Sequence, residues 1–588
     1  MKNKTSEGNR DAGLDPNAKI RVPLATGLGA QLAIHVLPGV VLIPTVVFRA
    51  AGAPDPALVW AVFASVVICG VIAILQAQRL GRIGAGYILA TGTAGVSISV
   101  AVAALDQGGP ALLSALMVAL ALCQFAFSAR LSLFRQILTP TVTGTVLMLT
   151  PVTVMPVIFE QLGNVLEGAA PVGAILSAGT TVLVIAAIVL KADRVTRLWA
   201  PIIGIVAGSA VGATFGLYDV ERIASAPWIG IPPPAWPGLG FEFRLEFWAL
   251  LPSFVFIAFV CTIQTVSGAV AIQRVSRAQR RAVDFRAVQG AVTADGLGNL
   301  LSGLAGTMTL GFRPNGTTMV EITGVSSRRI GVALGASLIG IALSPKVLAV
   351  VLAIPGPVIA AFITITMATI FVIGMKLIVQ DGMDYRQGLI AGLAFWLGTG
   401  FEGDVIFPEW VAGFAGGFLS NGMVAGGLAA LLLTLLVELT KPRRSRIELD
   451  LDPSALLAIR EFNGALATRN GWDADMQNRL DAASEETLLT LLSQDEERED
   501  VQHRRLRLVA RREGEGALLE FVAAGREENL EDQISILGEE NAESAIEREV
   551  SLRMLRHLSS SVRHQQYHDT DIVTVRVDPA GAGSKRRS

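Results

Sequence analysis

The sequence predicts an all-α polytopic membrane protein of fourteen transmembrane segments in two repeats of seven, followed by a C-terminal soluble α/β domain. Three observations carry that prediction. The 588 residues are 52% hydrophobic and only 17% charged, and mean hydropathy is +0.53, whereas about a quarter of residues are charged in an ordinary globular domain. Charge is also unevenly spread: sparse from Val22 to Leu439, dense in Arg, Glu and Asp from Lys441 onward. Finally, apolar runs long enough to cross a bilayer recur, with basic residues at every second exit. Lipid is the first solvent implied and water the second.

The segments divide at 1–21, a polar leader with no apolar core, at 22–440, the membrane part, and at 441–588, the tail. The leader reads as cytoplasmic and not as a cleavable signal peptide. A net charge of −2 excludes the polyelectrolyte behaviour expected of a nucleic-acid binder. Cys69, Cys123 and Cys261 fall in apolar runs and read as packing residues.

A membrane helix needs about 20 apolar residues. The runs that qualify are 25–48, 57–75, 110–127, 143–159, 172–190, 198–217, 248–272, 330–343, 347–378, 389–397 with its extension, and 413–436. Three more are apolar but interrupted by Gly, Thr or Pro: 83–104, 288–305 and 308–324. Basic clusters follow the even-numbered spans, at Arg79 and Arg82, Arg130 and Arg135, and Lys191 to Arg197. They recur at Arg274 to Arg286, Arg328 and Arg329, Lys376 and Arg386, and Lys441 to Arg444. The alternate loops, such as LDQGGP, are neutral or acidic, so the positive-inside rule puts both termini in the cytoplasm.

Broken spans point to a binding site, because unpaired backbone is tolerated at membrane depth only beside protein or an aqueous cavity. The third span reads YILATGTAGVSIS and the tenth MTLGFRPNGTTMVEITG. In a chain of two seven-span repeats these positions correspond, as do the fifth and twelfth, which both open at proline. That is the pattern of an inverted-repeat carrier. Small residues alone serve close helix packing, but Arg313 and Glu321 within an apolar span are costly unless they face a cavity or a partner. No nucleophile–base constellation and no metal-ligand cluster is present in the sequence, so neither an enzyme nor a cofactor is expected.

These residues resemble the nucleobase–ascorbate transporter family, also called nucleobase cation symporter 2, of the xanthine/uracil permease type. Gln31 followed by VLIP (Val41–Pro44), TPTVTGTV (Thr139–Val146), ADGLGNLLSGLAG (Ala294–Gly306), TGVSSRRIG (Thr323–Gly331) and IPGPV (Ile354–Val358) lie in the family's order over about residues 20–440. The resemblance implies core and gate domains, with substrate held near the midplane between short strands in spans three and ten. It implies an elevator-type alternating-access carrier for a nucleobase, such as xanthine, urate or uracil, coupled to a proton or sodium ion. Homodimerisation in a bacterial inner membrane is also implied. The substrate-binding candidates are Gln264, Asn315, Arg313, Gly316, Gln31, Thr91 and Thr93.

Departures from the family pattern bear on chemistry. Its motif Q/E-N-x-G-x4-T followed by K, R or G falls on Asn315, Gly316, Thr318, Thr323 and Gly324, and only the terminal pair matches. The glutamate that contacts the base becomes Gln264, a neutral amide with one acceptor oxygen and two donors. Arg313 adds a fixed cation suited to a carbonyl-rich or anionic ring. Asp295, His35 and Glu321 remain as ion-coupling candidates. A lone helical histidine is otherwise a packed hydrogen-bonding residue, and Glu321 otherwise pairs with Arg328 or Arg329.

The tail reads as strand 447–451, helices 454–470 and 473–494, strands 504–512 and 517–523, helix 545–562 and strand 571–577. This order and RLDAASEETLLTLL (Arg479–Leu492) resemble the ATPase domain of anti-sigma-factor and histidine kinases. The resemblance implies a degenerate copy: Thr490 stands where the metal-binding asparagine should be, Ala523-Ala524-Gly525 replaces D-x-G, and the loop near Val550–Leu552 lacks glycines. A regulatory tail with a cytoplasmic protein partner is expected, its charge runs 495–500 and 539–549 being solvated helix faces. HQQYH (His564–His568), with two histidines and no third ligand, is expected at the surface. The competing functions are an anion carrier of related fold and a base-sensing receptor that signals through the tail.

Overall fold

The computed structural model describes residues 14–134, 139–163, 170–236, 238, 244–277, 282–379, 384–402, 405–407, 409, 419, 421–440, 444–493, 505–523, 554–568 and 570–579. It divides into two compact units, one of Met1–Ala278 with Ala287–Leu436, the other of Gln279–Arg286 with Val437–Ser588.

The first unit is helical. Its long helices are α1 (Val22–Ala50), α2 (Asp55–Gln78), α3 (Ile98–Ala129), α4 (Pro140–Glu160), α5 (Pro171–Lys191), α6 (Arg194–Thr214) and α7 (Leu245–Val275). There follow α8 (Phe285–Ala305), the short α9 (Asn315–Thr323), α10 (Arg328–Ala342), α11 (Pro345–Leu352), α12 (Gly356–Val379), α13 (Tyr385–Glu402) and α14 (Gly422–Thr440). Among the described residues nine helices are long and apolar enough to cross a bilayer, and ten if the pair α10–α11, bent by 85°, is one span. The protein is therefore a multi-pass membrane protein. Close approaches of small residues hold the bundle: a Cβ on Gly144 would lie 2.6 Å from the Gly374 carbonyl, and one on Gly374 as near the Gly144 carbonyl. Helices in lipid gain from such contacts because hydrocarbon offers no hydrophobic drive for association.

Two expected boundaries move. The run 347–378 is not one helix but α11 and α12, broken at Ala353–Pro355, where Pro355 has no N–H to continue the helical ladder. The expected gap between 83–104 and 110–127 shrinks to a single residue inside α3, Gly109, whose φ of 67° is left-handed and precedes Pro110.

Two strands interrupt the helices. β1 (Ala90–Thr93) pairs antiparallel with β2 (Leu310–Arg313) in the register Ala90↔Arg313 to Thr93↔Leu310, and the Ala94 N–H extends the ladder to the Thr309 carbonyl at 2.7 Å. The pair lies within the bundle, with Ala90, Thr91 and Thr93 each 1% exposed or less. Backbone freed by breaking two spans is satisfied by pairing the breaks with each other.

The second unit carries β3 (Ser445–Asp450), α15 (Ala455–Asn470), α16 (Ala474–Ser493), β4 (Arg505–Glu513), β5 (Gly516–Ala523), β6 (Ser561–Gln566) and β7 (Asp571–Val577). Its sheet, in the order β3-β4-β5-β7-β6, is antiparallel throughout. The expected α/β domain is thus an antiparallel α+β one: β4–β5 and β6–β7 are hairpins, and the two helices between β3 and β4 return the chain to an antiparallel neighbour. Alternate strand residues Leu506, Leu508, Leu519, Phe521, Val573 and Val575 share a core with Ile459, Leu466, Leu480 and Leu488 of the helices. The helix expected at 545–562 is overturned at its end: residues 561–566 form β6, and 554–558 alone are helical among those described. Residues 1–13, the runs 495–500 and 539–549, the Ala524-Gly525 pair and the loop at 550–552 lie outside the described residues.

His564 corrects a second expectation. It is 1% exposed, not a surface residue. Strand alternation turns it inward from β6, opposite Val573, and the Arg286 guanidinium of the same unit lowers its pKa further after burial has done most.

Candidate functional site

A cavity of about 620 Å³ opens beside the paired strands, between α1, α7, α9 and α12. Local structure explains why polar groups reach it. β2 runs out through Phe312 and Arg313 into α9, so Arg313, Asn315 and Thr317 all border the space. From α7 comes Gln264, whose Oε1 sits over the Gly311 backbone, 3.7 Å from where a Cβ would stand. The Phe312 ring lies flat on α7 at Gly268, where a Cβ would come within 2.4 Å of it. That contact fixes β2 against the helix carrying Gln264.

Arg313 is held on three sides. One guanidinium nitrogen donates to the Thr93 carbonyl, and Cβ atoms on Gly39 and Gly92 would come within 3.2 and 3.0 Å of it. Thr93 is fixed in turn, its hydroxyl donating to the Gly39 carbonyl at 2.6 Å. His35, one turn earlier on α1, places Nδ1 2.6 Å from the Gln31 carbonyl. A carbonyl only accepts, so Nδ1 carries a hydrogen, and Nε2 is an acceptor when the ring is neutral. That Nε2 is buried without a protein partner among the described residues, on a side chain bordering the cavity. The Trp199 ring packs edge-on against the imidazole at 4.5 Å.

Behind the strands, a fully buried amide clamps β2. Asn299 of α8 accepts from the Leu310 N–H at 2.6 Å, and its Nδ2 donates to Gln124 Oε1 at 2.6 Å and the Leu310 carbonyl at 3.3 Å. It behaves as one residue of a third strand on the edge that β1 leaves open.

The structure thus gathers Gln264, Arg313 and Asn315 at one cavity, together with His35 and Glu321. Four other substrate candidates do not border it. Gly316 packs on the Ile88 carbonyl, and Thr91 and Thr93 are buried in the strand pair. Gln31 contributes its carbonyl to His35. Asp295 is also away from the space: it is fully buried, accepting from the Thr265 hydroxyl and from Gln76 Nε2 at 3.1 Å. Glu321 forms no ion pair among the described residues; Arg328 and Arg329 instead donate to the carbonyls of Gly86 and Ile20, both at 2.8 Å. Sequence reasoning missed Phe312, Thr317, Ser267 and Arg197 at the cavity. Phe312 stood inside the broken-span motif, whereas Arg197 read only as part of a basic loop.

A multi-pass bundle that breaks two spans around an internal cavity has the construction of a membrane carrier. The model of the Permease family (Xan_ur_permease) matches residues 25–403. The chain belongs to that family, whose members are transporters and not enzymes. It is 26% identical over 388 residues to the xanthine permease XanP of Escherichia coli, covering 62% of this chain and 82% of that protein. It is 25% identical over 424 residues to the uric acid permease PucJ of Bacillus subtilis, covering 70% and 92%. Among solved structures it is similar to murine Slc26a9, an anion transporter, with 13% identity, a TM-score of 0.48 and coverage of 72% and 70%.

Proposed function

We propose that the protein is a permease for a carbonyl-rich purine base, xanthine or urate, bound in the cavity beside β1 and β2. The observation that carries this reading is the convergence of Gln264, Arg313 and Asn315 on one space of about 620 Å³ in a chain of the Permease family. The two amides supply both donors and acceptors for a planar ring, and the guanidinium fork matches an oxygen-bearing edge. His35 Nε2 adds an acceptor for a ring N–H. If a proton travels with the substrate, it rides on His35 or Glu321, the titratable cavity residues named from the sequence.

The finer architecture belongs to this proposal. Gly109 divides α3 into two spans, and α8, β2 with α9, α10 and α13 complete a count of fourteen in two inverted repeats. Alternation between the faces follows the elevator pattern of core against gate. Both termini lie in the cytoplasm of a bacterial inner membrane, residues 441–588 form a regulatory domain for a protein partner, and the carrier is a homodimer.

Ligands that bind only the folded state raise its melting temperature. The detergent-purified protein is therefore heated with xanthine, urate, hypoxanthine, uracil, ascorbate or sulfate. A shift with a base, lost in Gln264→Ala or Asn315→Ala, supports the reading. A shift with sulfate alone that depends on Arg313 replaces it with an inorganic-anion carrier.

A further inference from the structure

The inference rests on the transport reading above and starts from the charge that the site cannot shed. A guanidinium stays protonated in proteins. Arg313 has the Thr93 carbonyl and the open faces of Gly39 and Gly92 around it, and among the described residues it forms no ion pair. The buried carboxylate of Asp295 is engaged by Thr265 and Gln76. Gln264, Asn315 and Thr317, which border the cavity, are neutral. His35, whose Nδ1 faces the Gln31 carbonyl, offers no negative charge in either protonation state. Arg197 and Glu321 border the cavity too and cancel in sign, which leaves one excess positive charge there.

A carrier must pass through a state in which water is excluded from its site. An unpaired charge in that state is strongly disfavoured, while one matched by a hydrogen-bonded counter-charge is not. We propose that the protein is an exchanger of anionic bases, in which Arg313 takes the role of the coupling cation. An anion with oxygen acceptors along one edge neutralises the guanidinium, and the loaded site crosses. The empty site carries Arg313 uncompensated through the same barrier and returns slowly. Net flux is then limited by the empty return, and one-for-one exchange is fast. No proton or sodium ion is needed, because the positive charge is built in.

The test uses full-length protein in liposomes, with labelled urate outside and either unlabelled urate or buffer inside. Exchange predicts initial uptake roughly 10-fold or more faster into urate-loaded vesicles, unchanged when ionophores collapse proton and sodium gradients. Hypoxanthine, uncharged at neutral pH, gives no such acceleration when loaded inside. Arg313→Lys keeps the acceleration at a higher half-saturating concentration, since the charge stays and the fork is lost. Arg313→Gln abolishes it. Equal uptake into loaded and empty vesicles, driven by a proton or sodium gradient, overturns the proposal, and this comparison needs no variant to fold. A failure of the underlying reading looks different: no base enters either kind of vesicle above the protein-free level.

Discussion

Removing the Asn299 side chain tests how the two broken spans are held. Asn299→Ala deletes the acceptor for the Leu310 N–H and the donor to Gln124 Oε1, both at 2.6 Å, at a site where Asn299 and Gln124 are fully buried. A buried polar group left without its partner costs roughly 1–3 kcal/mol. Hydrogen bonds within bilayers measure lower on average, because freed groups find new partners. The Leu310 N–H donates to Asn299 Oδ1 on the side away from β1, and Asn299→Ala removes that acceptor. The Leu310 N–H, the Leu310 carbonyl and Gln124 Oε1 each lose a partner, and at that lower cost per group the loss is about 2–4 kcal/mol. The assay is thermal unfolding in detergent, together with the dissociation constant for the stabilising base, which weakens because β2 presents Arg313. An alanine variant within about 0.5 kcal/mol of wild type, the range of neutral surface changes, with unchanged affinity, would refute the clamp.

Three further outcomes follow from the same geometry. Gln264→Ala and Asn315→Ala each weaken base binding by roughly tenfold, the value of one or two lost hydrogen bonds to ligand, measured by titration calorimetry, with melting temperature nearly unchanged. Gly316→Ala places a Cβ 2.6 Å from the Ile88 carbonyl; since backbone must move to admit it, binding falls by more than in either of those variants although the protein still inserts. In the tail, burial and then the Arg286 guanidinium hold His564 at about 4, below its ordinary 6.5. The unfolded state binds the extra proton between those values, so His564 stabilises fully above pH 6.5 and the contribution is lost as pH falls toward 4. At most about 3 kcal/mol is involved, and the protection factors of the β6 and β7 amides in the full chain, taken relative to the intrinsic exchange rate at each pH, fall over that window. In His564→Gln the fall across the window is smaller.

The apolar runs were legible because lipid enforces a length and a composition on every span, and most of the long helices lie where those runs fall. The pairing of spans three and ten was legible for the opposite reason: ATGT and LGFR break an apolar pattern that lipid does not let break without cover. The identity of the cavity wall was less legible. Thr91, Thr93 and Gly316 share the broken segments with Arg313 and Asn315, and only tertiary packing decides that the two threonines are buried in the strand pair and that Gly316 packs on the Ile88 carbonyl. Asp295 is enclosed by Gln76 and Thr265, far away in sequence, and no local pattern shows that. In the tail, SVRHQQ carries no apolar alternation, so β6 was hidden. A strand at the sheet edge that buries a histidine and a glutamine gives no hydrophobic signal to read.

Equilibrium binding of labelled urate and xanthine to the purified full-length protein tests the central claim most directly, with Gln264→Ala, Asn315→Ala and Arg313→Gln measured beside it. The account predicts saturable binding that unlabelled base displaces and that each substitution weakens at unchanged melting temperature. Binding of equal strength in all four proteins, or none by any base, would contradict it.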